Sequence, residues 1–347
     1  MAAYLGWVGL APRDRRVLQG QKADAGDLAR GWVVLMDAGQ GSGLRIAVIG
    51  AGMAGLTAAR LLHEAGERPV VFDKSRGLGG RLATRRAEGG LQFDHGAQYL
   101  SAKSEGFAAF LRDAVAGGAI AGWPLEDGGD RYVGTPGMSA IGKYLAQGVE
   151  VRGSTEVPAI EAGPTGWRVC AEEFDRVICT TPAPQAARLI GAVHPAQAAL
   201  SGVTMVPNLT LMVAFDGLRE APFRTRRGEG DIAWLAQDST KPGRQGATCW
   251  VAQAGLAWSE AHLECDKDEI AARMLPLVYD MLKIPAEKAI YVSAHRWRYA
   301  HATKPLGQPF LTLDNSLFLG GDWALSARAE GAWQSGRAMA EAVLSSR

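Results

Sequence analysis

Three glycines close the run Arg45-Ile-Ala-Val-Ile-Gly50-Ala-Gly52-Met-Ala-Gly55, and they restrict the chain more than any other stretch of it. A strand that turns into a helix within a few residues needs one glycine for the tight turn (Gly50). It needs a second where backbone approaches a ligand (Gly52) and a third where helix and strand pack closely (Gly55). The spacing predicts a strand over 45–49 and a helix over 53–65, in which Met53, Leu56, Ala59, Leu61 and Leu62 recur at helical intervals. A second strand over 69–73 ends in Asp73. Amides and partial positive charge at such a helix start hold phosphates. A carboxylate at the Asp73 position accepts hydrogen bonds from both ribose hydroxyls and repels a 2′-phosphate. The flanking strand, helix and terminal acid make the run a dinucleotide grip, which the glycines alone would not.

A chain of 347 residues has room for two domains sharing a cleft, and its 47% apolar content fits a globular protein with a substantial core. The net charge of +1 provides no global field to recruit nucleic acid or a membrane surface. No apolar run approaches the roughly 20 residues of a membrane span. Cys170, Cys179, Cys249 and Cys265 form no C-x-x-C pair and no metal-like spacing, which points to the reducing cytoplasm, with Cys179 a buried thiol. The six histidines show no metal spacing either, so no metal site is expected. His95 reads as a strand-end residue near the cofactor, and His63, His194 and His262 carry no signal. Residues 1–43 read as a disordered leader without assigned function. Their basic cluster Arg13-Asp-Arg-Arg16 follows the apolar start, the wrong order for a secretory signal.

Further along, the sequence predicts a glycine-rich loop at 76–81, a strand ending near Asp94, a helix around 104–115, a turn at 127–130 and a helix beginning near Met138. Strand-like runs follow at 149–152, 155–161, 167–170 and 176–180, then a helix at 185–191. From about 203 to 300 longer strands predominate (208–215, 232–236, 248–252, 289–299), with one helix at 267–283. The chain returns through a strand at 316–319 to Gly320-Gly321-Asp322 and a closing helix from about 331, so both chain ends enclose the ligand.

Several local motifs, in this order, resemble the amine-oxidase-type flavoprotein superfamily and, more narrowly, the bacterial renalases. They are Phe72-Asp-Lys-Ser-Arg-Gly-Leu-Gly-Gly-Arg81, Gly96-Ala-Gln-Tyr99, Gly137-Met-Ser-Ala-Ile141, Thr181-Pro-Ala-Pro-Gln185, Ser239-Thr-Lys-Pro-Gly-Arg244, His295-Arg-Trp-Arg-Tyr-Ala300, Gly321-Asp-Trp323 and Glu330-Gly-Ala-Trp333. The resemblance implies an α/β (α+β) two-domain flavoprotein. Residues 44–100, 136–192 and 310–347 would form a discontinuous Rossmann-like FAD-binding domain. Residues 101–135 and 193–309 would form an inserted substrate domain on a mixed or antiparallel sheet.

The resemblance also implies non-covalent FAD, since the stretch near Trp323 lacks the cysteine that tethers flavin in monoamine oxidases. Gly50, Gly52, Met53, Ala54 and Gly55 would meet the pyrophosphate. Asp73 would meet the adenosine ribose, with Lys74 next to it a further cofactor-binding residue, the backbone at Val157 the adenine, and Gly80 and Arg81 phosphate or flavin. Gly96, Ala97 and Gln98 would border the isoalloxazine, Gly321 and Asp322 the ribityl-phosphate, and the helix start at Gly331-Ala332 the N1–C2=O edge, where positive dipole favours reduced flavin. No second glycine fingerprint and no paired redox cysteines follow, so a separate NAD(P)H domain like that of disulfide reductases is not expected.

Renalases oxidise dihydronicotinamide isomers of NAD(P)H (2- or 6-dihydro forms), passing a hydride to flavin N5 and two electrons to O2 to give hydrogen peroxide. The matching substrate wall is Tyr99, Leu100, Ser101, Ala102, Lys103, Asn208, Trp297, Arg298, Tyr299 and Arg328. With Arg296 it is rich in cations, which suits a dinucleotide better than an amine. Hydride loss from a dihydropyridine needs no general base, so Trp297 and Arg328 are candidate orienting residues. Trp297 reads equally well as packing. The alternatives are an amine or polyamine oxidase of the same superfamily and a non-catalytic FAD-binding protein. The expected partners are the small-molecule dinucleotide and O2.

Overall fold

In the computed structural model, which describes residues 43–125, 128–217, 223–286 and 289–346, the fold is organised around a strand buried on both faces. Ile46–Ile49 is buried at all four positions, as the centre of a parallel sheet requires. The six-stranded sheet runs Phe310–Thr312, Leu317–Gly320, Arg176–Cys179, Ile46–Ile49, Val70–Phe72, Glu150–Arg152. All neighbours are parallel except the edge strand Phe310–Thr312, which pairs antiparallel with Leu317–Gly320. The first strand lies between those at 70–72 and 176–179, so the turn at Gly50 opens at a switch point of the sheet, where such folds bind ligands. The helix Met53–Glu64 follows that turn and packs on the closing helix Ala329–Ser345. Their approach is close enough that a Cβ on Gly336 would overlap the carbonyl of Ala54.

A second, five-stranded sheet is antiparallel throughout, in the order Thr225–Arg227, Ile232–Gln237, Thr248–Ala254, Thr204–Phe215, Tyr291–Lys304. Side-chain alternation sorts its two faces. Leu209, Leu211 and Val213 pack with Ile270, Met274 and Val278 of the helix Lys267–Leu282, while Met212, Ala214, Cys249 and Val251 pack with Leu91 and Phe93. One face is therefore closed by a helix, and the other looks toward the segment that follows Gln92–Asp94.

Most predicted elements form within a few residues of their expected ends. The expected strand over 155–161 does not: only Glu161–Ala162 pairs. The Ser154 and Thr155 amides donate to the carbonyls of Ser75 and Asp73 (3.0 and 2.8 Å), which ties this stretch to the loop after the second strand, and Pro158 has no N–H for a ladder. The closing helix begins at Ala329, ahead of Gly331. The strands Thr225–Arg227 and Phe310–Thr312 and the hairpin Ile120–Gly122/Tyr132–Gly134 were not expected. The leader, Gly43 excepted, and residue 127 of the predicted turn lie outside the described residues. All four cysteines are free, and burial pushes the Cys179 thiol up. Among the described residues no helix is long and apolar enough to cross a membrane, and no group of three or more His, Cys, Asp or Glu side chains could hold a metal ion.

Candidate cofactor and active site

The glycine turn has the shape its spacing predicts. Gly50 sits at φ +105°, and a Cβ on Gly55 would overlap the Gly50 carbonyl oxygen, so both positions are restricted by the protein itself. Gly52 differs: a Cβ there meets no protein atom within 4 Å. The helix it starts has no side-chain cap and no acidic residue in its first turn, so no cap side chain takes its leading amides. The second glycine loop lies on top, with the Gly79 amide donating to Ala51 O (2.8 Å) and Gly80 close to the Gly52 Cα. Asp73 is half-buried, and its two oxygens accept from the amides of Ala51 (2.6 Å) and Ser75 (2.7 Å), which fixes the carboxylate beside the turn. An uncapped helix start, a glycine facing open space and a carboxylate at the neighbouring strand end fit a dinucleotide cofactor. Lys74 is exposed beyond it, and Val157 is buried beside Ile49 and Phe72, close to Asp73 through Thr155.

Arg81 and Asp322 face each other. The guanidinium makes a bidentate pair with the carboxylate (2.7 and 2.6 Å) and donates to Ala300 O at 2.6 Å. The pair joins the glycine loop to the short helix Asp322–Leu325, which follows Gly321 at φ +144°. The closing helix has no side-chain cap, and its first turn carries the buried Glu330, whose carboxylate accepts from the amides of Lys103 (2.9 Å) and Ser104 (2.8 Å) and the Ser104 hydroxyl (2.6 Å). Residues 103 and 104 are thereby fastened to the helix start containing Gly331 and Ala332.

The loop 94–98 is held by the other sheet, one residue after another. The Asp94 amide donates to Asp238 (2.8 Å), His95 O accepts from the Trp297 indole (2.8 Å), and Gly96 O accepts from the Gln253 amide (2.8 Å). On the opposite side Ala97 donates to Arg81 O (2.8 Å), and a Cβ on Gly96 would overlap that same oxygen. Gln98 turns its amide nitrogen to Asp94 O, which leaves its buried side-chain oxygen without a donor from the protein. This orphaned acceptor, at the position expected to border a flavin ring, is a further point of fit.

Beneath the loop lie four buried charges: Asp94 and Asp238 against Lys241 and Arg244. Burial works to raise the Asp94 carboxyl, but Lys241 and Arg244, with the Thr84 hydroxyl and Met138 amide, more than offset it and hold it below the usual range. Burial pushes Asp238 the other way. Above them the His95 imidazole stacks on Trp297 (5.3 Å between centroids, 20°), and His295 meets both rings edge-on. Burial, reinforced by the Arg85 charge, pushes His95 down to about 4. Burial together with His95 and Arg85 pushes His295 down to about 3. Both rings are neutral at physiological pH, and neither Nδ1 has a protein partner.

The expected substrate wall is only partly assembled. Tyr99 lies under Arg131 (5.0 Å) and beside Trp234 (6.0 Å), Lys103 and Arg328 are exposed near Glu330, and Ser101 and Ala102 are half-buried between them. Leu100 is not part of a wall: its amide and carbonyl pair with Tyr132 and its side chain is buried in the core. Asn208 is spent within the sheet, donating to Ala254 O (3.0 Å) and accepting from Thr210 (3.0 Å). Along Tyr291–Lys304, Tyr299 is half-buried where the pairing with the neighbouring strand is irregular, while His295 and Trp297 lie on the loop side and Arg296 and Arg298 on the other. There Arg298 pairs with Glu264 (2.7 and 2.9 Å) and Arg296 donates to Leu263 O. Trp297 turns its N–H to the loop, so it acts on the site through His95. Gln253, Trp234 and Arg227 were not foreseen, because each depends on strand pairing that no local pattern encodes; Lys241 and Arg244 lie in the Ser239–Arg244 motif, but their burial against Asp94 was not foreseen.

Comparison with known proteins agrees with this architecture. A family model described as flavin containing amine oxidoreductase matches residues 115–344, and one described as an NAD(P)-binding Rossmann-like domain matches residues 48–114. Renalase of Mus musculus is 26% identical over 317 residues, covering 80% of this chain and 92% of its own. All-trans-retinol 13,14-reductase of Macaca fascicularis is 32% identical over 116 residues, 33% of this chain and 19% of its own. Among solved structures, cyclohexylamine oxidase from Brevibacterium oxydans IH-35A superimposes with a TM-score of 0.70 at 12% identity, over 88% of this chain and 99% of its own. Putrescine oxidase bound to putrescine gives 0.66 at 14%, over 87% and 99%. At such identities these two structures speak for the fold alone.

Proposed function

Because this chain belongs to the flavin-containing amine oxidoreductase family, we propose that it is a renalase-like oxidase that binds FAD non-covalently and oxidises dihydronicotinamide isomers of NAD(P)H. The overall reaction would be dihydro-NAD(P) + H⁺ + O2 → NAD(P)⁺ + H2O2. Residues 44–100, 136–192 and 310–347 would hold the cofactor, and 101–135 and 193–309 the substrate. Bound FAD would supply the hydride acceptor and the route for two electrons to oxygen. The chain's own work is placement. The Gly50–Gly55 turn and Asp73 hold the dinucleotide part, the clamped 94–98 loop sets the floor for the ring, and Tyr99 with Trp234 provides aromatic surface beside it.

The observation that carries this reading is the sign of the charge left over. Asp94 and Asp238 are matched by Lys241 and Arg244, Asp322 by Arg81, and Glu330 by the amides of 103 and 104. Lys103, Arg227 and Arg328 have no carboxylate partner among the described residues. An ammonium substrate would need the reverse arrangement; a phosphorylated one suits this. His95 and His295, held neutral, add no positive charge near the ring, and hydride loss requires no base from them.

Anaerobic mixing of the yellow protein with 2- and 6-dihydro-NAD(P), and in parallel with putrescine and other amines, tests the proposal. Bleaching of the visible flavin band by a dihydronicotinamide and not by amines is expected. Bleaching by amines alone would establish an amine oxidase, and bleaching by neither a binding protein without turnover.

A further inference from the structure

Residues paired directly across neighbouring strands point to the same face of a sheet. In the five-stranded sheet one such row runs Arg227, Trp234, Gln253, Thr210, His295, each opposite the next. Two members of the row touch the 94–98 loop: Gln253 donates to Gly96 O, and His295 packs against the His95 ring. Arg227 is therefore on the cofactor-facing side of the sheet, two strand spacings from Gln253, a separation of about 10 Å.

Its surroundings are built for holding a cation ready. The guanidinium lies over the Trp234 ring (5.1 Å to the centroid), with one nitrogen 3.5 Å from the Tyr99 hydroxyl, and no carboxylate partner is found among the described residues. Arg131 lies over the other aromatic of the pair, Tyr99. The neighbouring Arg226 shows the contrast: it faces the helix side of the sheet and donates to Met281 O (2.8 Å). An exposed guanidinium lying over an aromatic ring, with only the Tyr99 hydroxyl as an acceptor among the described residues, is suited to receive phosphoryl oxygens in a bidentate fashion.

We propose that Arg227, on the Tyr99–Trp234 floor, is the docking point for the phosphates of the dinucleotide substrate, a specificity-determining residue that places the reduced ring over the His95–Gln98 loop. This rests on the functional reading above and adds to it a place for the charged half of the substrate. Arg227 then acts mainly on binding, since the phosphates are remote from the bond that breaks, and the effect falls on KM rather than kcat.

The test compares wild type, Arg227→Gln and Arg227→Lys holoprotein. The substrates are 6-dihydro-NAD and the corresponding dihydronicotinamide riboside, which lacks phosphate; NAD⁺ binding is followed by tryptophan fluorescence. For Arg227→Gln, KM for the dinucleotide and Kd for NAD⁺ should rise about tenfold, the loss of one charge-assisted contact, with kcat within about twofold and the riboside unaffected. Arg227→Lys should recover part of the loss, and added salt should weaken NAD⁺ binding to wild type more than to Arg227→Gln. Unchanged KM and Kd in Arg227→Gln, or equal losses for riboside and dinucleotide, would overturn the assignment and leave the functional reading standing. A wild type reduced by neither substrate would overturn both.

Discussion

The indole nitrogen of Trp297 donates to the carbonyl oxygen of His95 at 2.8 Å while its ring stacks on the imidazole of the same residue. One side chain of the antiparallel sheet thus holds both the backbone and the side chain of the residue that leads into Gly96–Gln98. With Gln253 and Asp238 on the flanking residues, the loop that borders the expected ring position is positioned from outside its own sheet.

Replacing Trp297 by Phe keeps an aromatic ring and removes the donor. A stability loss of about 1 kcal/mol is expected, together with a fall in the rate of anaerobic flavin reduction of about tenfold or more, since small displacements at a reacting centre are amplified in rate. Stopped-flow reduction and thermal melting check the two effects. A variant with wild-type rate constants would remove Trp297 from the positioning of the site.

His95 and His295 make stability depend on pH in a defined direction. An unfolded imidazole takes a proton below about 6.5, whereas these two resist until about 4 and about 3 in the native protein. The unfolded state therefore binds more protons across this window, and stability falls as pH drops from about 6.5 toward 4. For His95, which is almost fully buried, the loss approaches about 3 kcal/mol, since each pH unit between the unfolded and native protonation points is worth about 1.4 kcal/mol. Urea denaturation between pH 7 and 4.5 should show a reduced slope in His95→Gln; an unchanged slope would mean that the histidine is not held neutral.

Asp238→Asn leaves the shape of the buried charge group intact but removes one of its two negative charges, so Lys241 and Arg244 share Asp94 alone. Removing one partner of a buried ionic group costs about 3–5 kcal/mol. A lowered urea midpoint with faster flavin loss on dilution is expected, because the Asp94 amide also depends on this carboxylate. A midpoint within error of wild type would contradict the buried pairing.

Gly52→Ala and Gly55→Ala separate cofactor contact from folding. Alanine at 55 runs into the Gly50 carbonyl and should destabilise the apoprotein itself. Alanine at 52 meets no protein atom, so the apoprotein should melt as wild type while FAD affinity falls by about tenfold or more. Equal FAD affinity in Gly52→Ala would move the pyrophosphate elsewhere.

How much of this could be read from the chain follows the range of the interactions. The glycine turn, its helix and Asp73 are coded within about thirty residues, and their geometry appears as expected. Alternation along 295–299 separates Trp297 from Arg298, yet parity does not say which face meets the cofactor side, and Arg298 lies opposite to expectation. Val157 sits in a stretch whose β-branched residues suggest a strand, but loop contacts outside that stretch take its amides. Gln253 and Arg227 gain their positions only from pairing across strands far apart in sequence, and Glu330 gains its role from segment 103–104, 226 positions away for Ser104.

Flavin content tests the central claim most directly. Holoprotein denatured in acid should release one FAD per chain into a yellow supernatant, leaving a colourless pellet, and the apoprotein should regain its colour on addition of FAD. Protein that stays colourless and takes up no added FAD, or whose flavin remains with the denatured chain, would contradict a cofactor held without a covalent bond between the Gly50–Gly55 turn and the start of the closing helix.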